Sequence, residues 1–243
     1  MIASPAWIGT GQDALATLAI LSTLFVLTHF GLATQAVRDF LSDQLGERGY
    51  RLLYSAIATA LVVLMVLAYR AASAGPWLFD TGSLGPTVTA VAHPIAVILL
   101  VGGLTMPNPT AVGGEHHIDE LQPLTGVLRI TRHPVLWGIM LWAVSHIIAV
   151  PTARSLIFFG TMTFVAAVGT IAIDHKTRRR RGAAFAPIEL SSSNLPFLAI
   201  AQRRQSFAAA AREFGTQRLM IVVIVYGVVF FSHSWLFGVA PYG

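Results

Sequence analysis

The sequence predicts an all-α fold: a polytopic integral membrane bundle of six transmembrane helices. Both termini are expected on the non-cytoplasmic side, and residues 1–243 are expected to form a single domain. Three observations carry this. First, six runs (14–37, 52–69, 81–114, 133–153, 155–173 and 219–243) contain no Asp, Glu, Lys or Arg, and each is at least 18 residues long. A hydrocarbon core of ~30 Å takes about 20 apolar residues of helix. Second, 55% of the residues are hydrophobic and only 11% are charged, gathered into blocks rather than scattered. Soluble domains carry roughly 25% charged residues, and the runs lack the period-two alternation of a closed β-barrel. Third, with six spans, 14 of the 16 basic residues fall in the same-side connections 38–51, 115–132 and 174–218, leaving Arg70 and Arg154 opposite. The positive-inside rule then puts those connections in the cytoplasm. The net charge of +5 reads as topology and lipid-headgroup contact, centred on Lys176–Arg181, and not as nucleic-acid binding.

Each element has its own signature. Helix 1 follows Asp13 with no basic residue before it and exceeds an ordinary signal-peptide core, so it reads as a retained span ending near Arg38. Gln35–Arg51 mixes charge with Val37, Phe40, Leu41 and Leu45, the pattern of an interfacial helix. Helix 2 returns outward, and Gly75–Pro76 and Gly82–Pro86 bracket an outer turn. The third run is too long for one span; helix 3 is expected at about 86–106, with Pro107–Asn108–Pro109 and Gly113–Gly114 as loop. Helix 4 begins near Pro134, where the missing N–H is one of those left unpaired at any helix start. Pro151–Arg154 makes a tight hairpin into helix 5. In the long connection 174–218, Leu195–Ile200 is too short to span and suits an interfacial or re-entrant piece.

Function is sought among the histidines. His29, His93, His146 and His233 lie in membrane runs, His133 and His175 at the cytoplasmic edge, and His116 and His117 in a loop. An imidazole at membrane depth costs free energy without a partner or a task. It can tie helices together, or it can hold iron. The absence of Cys excludes disulfides, thiolate catalysis, iron–sulfur clusters and covalent c-type haem. Without membrane-depth carboxylates, zinc and di-iron centres are poorly supplied; haem needs one or two His and an apolar slot. At 1.5 Å per residue His29 lies ~5 Å to the cytoplasmic side of its run's midpoint, and His146, His93 and His233 lie ~5, ~7 and ~3 Å to the outer side. Depth alone pairs His93, His146 and His233; a His29–His146 pair needs a tilted haem. A second candidate site is Thr125–Gly138, where Arg129, Arg132 and His133 meet the start of helix 4. Its free N–H groups favour an anion such as a carboxylate, phosphate or haem propionate.

Gly126–Gly138 with Leu141-Trp-Ala-Val-Ser-His146 resembles the core of the NnrU family of bacterial membrane proteins. The likeness extends to Thr28–Ala33, Leu45–Tyr54, Pro107–Gly113 and Ser193–Phe197, and so to nearly the whole chain. The same core is similar to plant and cyanobacterial zeta-carotene isomerases, haem b membrane enzymes that convert a cis carotenoid double bond to trans by redox-switched ligation of ferrous iron. The resemblance implies haem b held by His29 and His146, with His93 in reserve and Arg129, Arg132 and His133 at the propionates or the cytoplasmic rim. It also makes His29 and His146 the catalytic pair. The alternative thiol position of those isomerases corresponds to Ala143 here. Expected partners are the lipid bilayer, a hydrophobic polyene substrate and, from the NnrU association with nitrite and nitric oxide reduction, denitrification enzymes. The expected location is a bacterial inner membrane. Arg132-His-Pro134 followed by Gly138 also looks like the motif of membrane methyltransferases that use S-adenosylmethionine, but only Asp174 supplies the further acidic residue those enzymes need. A non-enzymatic scaffold, with histidines that merely join helices, is the remaining alternative.

Overall fold

The computed structural model describes residues 5–110, 114, 117–118, 124–237 and 241. His116 and residues 111–113 of the Pro107–Gly113 motif lie outside the described residues. The described chain is helical, with no β-strand among the described residues: α1 Gly11–Gly31, α2 Gln35–Ala71, α3 Leu84–Thr105, α4 Pro134–Ala149, α5 Ala153–Arg181, α6 Ala186–Ser191, α7 Leu198–Ala201 and α8 Phe207–Phe237. Among the described residues, five helices are long and apolar enough to cross a bilayer: α1, α2, α3, α5 and α8. The chain is thus a multi-pass membrane protein. The expected sixth span, α4, is apolar but 16 residues long, about 24 Å of helix at 1.5 Å per residue.

The chain forms two compact units, Met1–Asp80 with Val150–Thr161 and Thr81–Ala149 with Met162–Gly243. In the first, α1 and α2 make an antiparallel hairpin, joined at one end by a Gly11–Ala72 bridge. At the other, Tyr50 Oη donates to the Leu32 carbonyl (3.1 Å) and Tyr54 Oη to the His29 carbonyl (3.3 Å). Carbonyls at a helix C-terminus have no partner within the helix, and these two tyrosines, one turn apart, supply donors. At the far end of α2, Arg154 Nη1 donates to the Ala72 carbonyl (3.0 Å), with its guanidinium over the Tyr69 ring at 4.8 Å.

The segment Gln35–Arg51, expected as one interfacial helix, is helical but divided: it forms the first part of α2, which breaks at Gly46 (φ 72°, ψ 161°) and continues to Ala71. α8 breaks the same way at Gly215 (φ 74°, ψ 162°). Only glycine enters that region readily. Helix 1 stops at Gly31, short of Arg38.

In the second unit, α3 and α4 approach closely because small residues face their neighbours. A Cβ on Gly103 would sit 2.9 Å from Pro134 Cγ, one on Gly138 3.0 Å from the Ala96 carbonyl oxygen, and one on Gly85 3.0 Å from Ala149 Cα. In lipid, apolar burial alone gives little drive for helix association, so contact through small residues carries it. Leu99, Val101, Met106, Val127, Phe214 and Val222 form a buried cluster that seats α8 on α3 and the 3₁₀ turn Gly126–Arg129.

Candidate functional site

The first unit holds His29 near the end of α1. Phe25, one turn earlier, has its ring centroid 5.2 Å away, and Tyr54 of α2 lies at 5.3 Å. Phe25, Thr28, Leu32, Tyr54 and Ile57 surround a narrow crevice beside the imidazole, of about 150 Å³ including the open space at its mouth. No interior space large enough for a water molecule remains in it, so this crevice alone is too small for a macrocycle. Within it, His29 Nδ1 is buried and has no hydrogen-bond partner.

The second unit holds the other membrane histidines. His93 of α3 and His146 of α4 stack, with centroids 4.7 Å apart and planes at 28°, and His233 of α8 is close enough to interact electrostatically with both. His146 Nδ1 donates to the Trp142 carbonyl at 2.8 Å, and the Trp142 indole meets the ring edge-on at 5.1 Å. A carbonyl only accepts, so Nδ1 carries the proton and Nε2 is the lone-pair nitrogen of the neutral ring. A backbone carbonyl on the far nitrogen is the usual support for an imidazole that binds metal.

The arrangement refines the ligand pairings expected from the sequence. Depth paired His93 with His146, and the structure does bring them together, but face to face at stacking distance. Rings so placed cannot bind opposite faces of one iron with a macrocycle between them. His29 belongs to the first unit and His146 to the second. Among the described residues no cluster of three or more His, Cys, Asp or Glu is suited to a metal ion. Each imidazole offers a nitrogen of defined state: His29 has an unpartnered buried nitrogen, and His146 has its tautomer fixed by a carbonyl.

The expected anion site at the start of α4 is arranged differently. Arg129 grips Glu213 through both Nε and Nη2, each at 2.7 Å, and its Nη1 reaches Gln205 Oε1 at 2.7 Å. The hydrogen bonds to Glu213 hold the Arg129 guanidinium above its ordinary range. Arg132 binds Asp174 through Nε (2.9 Å) and Nη2, while His133 Nε2 donates to Asp174 Oδ1 at 2.8 Å. The three cationic or ionisable groups expected to receive an external anion therefore hold the chain's own carboxylates. Asp174 lies one residue beyond the charge-free run of α5. Burial opposes its ionisation, but the hydrogen bonds from His133 and Arg132 outweigh that and hold it at about 2.

Around this cluster the Ser193–Phe197 motif docks on Ile130–Arg132. Arg132 N donates to the Ser193 carbonyl (3.0 Å), Phe197 N to the Ile130 carbonyl (2.9 Å) and Thr131 Oγ1 to the Asn194 carbonyl (2.6 Å). Trp137 Nε1 donates to Asn194 Oδ1 at 3.2 Å. The two motifs fix where α4 starts, and hence where His146 sits, about three turns along. Glu213, Trp142 and Tyr54 were not singled out from sequence. The available signal for Trp142 was its position four residues before His146, one helical turn away.

The chain is 27% identical over 205 residues to the 15-cis-zeta-carotene isomerase, chloroplastic, of Arabidopsis thaliana, covering 81% of this chain and 53% of that protein. It is 25% identical over 193 residues to the same enzyme of Zea mays, covering 76% and 50%. The chain thus spans about half the length of the curated relatives it matches. No solved structure matches it significantly. The model of the NnrU protein family matches residues 17–241, and the chain belongs to that family.

Proposed function

We propose that this protein is a haem b-binding membrane isomerase that converts a cis double bond of a polyene lipid to trans, with His29 and His146 as the iron ligands. The observation that carries the reading is the likeness of most of the chain to two 15-cis-zeta-carotene isomerases. The buried, unpartnered Nδ1 of His29 and the carbonyl-fixed tautomer of His146 support the ligand assignment. Haem, when bound, supplies an iron centre able to engage a double bond and lower its barrier to rotation.

The chain's own residues do the rest. Isomerisation adds and removes no atoms overall, so the site needs no co-substrate. The substrate enters from lipid, and the aromatic walls at Phe25 and Tyr54 suit the flat edge of a conjugated chain. Arg129, Arg132 and His133 act on the site from a distance, by anchoring the start of α4 through Glu213 and Asp174. In this reading α4 completes a sixth span, the basic connections face the cytoplasm, both termini face outward and the membrane is a bacterial inner membrane. The relatives are isomerases and not denitrification enzymes. They favour the isomerase over an accessory role in nitrite or nitric oxide metabolism.

The test is co-expression in cells engineered to accumulate the 15-cis isomer of zeta-carotene, with pigments separated by chromatography. The wild type should deplete the 15-cis isomer, and His29→Ala and His146→Ala should not. Unchanged pigment with an abundant, haem-loaded wild type would overturn the reading for that substrate.

A further inference from the structure

Resting on the haem reading above, we infer that His93 is a positioning residue for His146, acting as an imidazole platform that fixes the ring's orientation and tautomer. Three observations converge on it. The His93 ring lies on a face of the His146 ring at 4.7 Å, while the Trp142 indole and carbonyl engage the same imidazole. His93 Nε2 is buried with no hydrogen-bond partner, so the ring is not held there by a bond of its own. The contact is also built in by the backbones. Gly138 against Ala96 and Gly85 against Ala149 bring α3 and α4 together on both sides of the pair, so the backbones hold the two ring-bearing turns side by side.

A neutral imidazole in water favours the Nε2–H tautomer, and His146 holds the opposite one. Stacking selects the ring orientation at which Nδ1–H meets the Trp142 carbonyl, which presents Nε2 as the lone-pair donor. His93 thus acts through His146. A ligand role for His93 and a platform role make opposite demands on its nitrogens. A phenyl ring can replace a platform but cannot replace a ligand.

The test uses the full-length protein in detergent, with ¹⁵N-labelled histidine, first without haem. Long-range ¹H–¹⁵N spectra, with the His146 signals assigned by their loss in His146→Asn, should show the Nδ1–H form in the wild type. His93→Ala should shift those signals toward the Nε2–H form, and His93→Phe should restore them. With haem added, His93→Ala should weaken binding by about 10- to 100-fold, the range for residues that support a metal ligand. His93→Phe should bind as the wild type does. Wild-type His146 signals in His93→Ala, or a His93→Phe protein that behaves like His93→Ala, would overturn the inference. If no variant binds haem while the tautomer result holds, the haem reading fails and the platform stands.

Discussion

Replacing Asp174 with Asn should destabilise the fold more than any other single change of charge. The Asp174 side chain is 9% exposed, Arg132 11% and His133 1%. The substitution removes the negative charge that bonds both Arg132 and His133 and keeps the side-chain size. Holding the carboxyl at about 2, against an ordinary value near 3.9, corresponds to about 2–3 kcal/mol favouring the ionised form. Leaving a buried partner charge uncompensated typically costs about 3–5 kcal/mol in total. At roughly 2–4 °C per kcal/mol for a chain of this size, the melting midpoint should fall by about 10 °C. The assay is thermal unfolding of the purified protein in detergent, followed by tryptophan fluorescence. Asp174→Glu should recover part of the loss, and Arg132→Met combined with Asp174→Leu should recover more, because replacing both partners avoids a stranded charge. The sign with pH follows from the direction of the shift. A carboxyl depressed in the folded state stabilises above its unfolded value and loses that stabilisation as pH falls toward about 2. The wild type should therefore lose more stability than Asp174→Asn between pH 5 and pH 2. An Asp174→Asn midpoint within 2 °C of the wild type would refute the reasoning.

Other outcomes follow from the same geometry. Gly138→Val should cost about 1–3 kcal/mol by overpacking, because its Cβ would meet Leu100 Cγ at 2.9 Å and the Ala96 carbonyl at 3.0 Å. Melting in detergent measures the cost, and labelled-histidine spectra should show the His93–His146 stack disturbed. Gly46→Ala and Gly215→Ala should each cost about 1–3 kcal/mol from backbone strain alone, since open space surrounds both positions. Gly227→Ala, in open space within the helical part of α8, should instead be neutral or stabilising by up to about 1 kcal/mol. For the orientation, a C-terminal alkaline phosphatase fusion should be active and a C-terminal cytoplasmic fluorescent fusion dark; the reverse result would invert the proposed topology.

The helices were largely legible in the sequence because lipid imposes a simple rule: a span shows as a stretch without charge. Helix 3 was expected over 86–106 and runs Leu84–Thr105, and Pro134 marked the start of α4. Charge marks where lipid ends, however, and not where a helix ends. The segment 174–218 read as a connection between spans with a short apolar piece at Leu195–Ile200, yet α5 continues to Arg181 and α8 begins at Phe207. Lys and Arg are good helix formers, and a helix projecting into water keeps its hydrogen bonds. The Gly46 break inside an otherwise helical pattern carried no local signal beyond the glycine itself. At the site, the histidine runs and their depths pointed to the His93–His146 encounter. The partners of Arg129 and Arg132 did not emerge. Glu213 and Asp174 lie 84 and 42 residues away in sequence, and only the tertiary fold shows which carboxylate meets which guanidinium. Two guanidiniums and a histidine around one helix start therefore looked like an open anion site.

The absorption spectrum of the detergent-solubilised protein, expressed in haem-replete cells and recorded oxidised and reduced, tests the central claim most directly. A haem-bound protein shows a Soret band whose position changes on reduction and which weakens sharply in His29→Ala and in His146→Ala, with both variants still folded. A colourless wild type, or a Soret band that neither substitution alters, would contradict it.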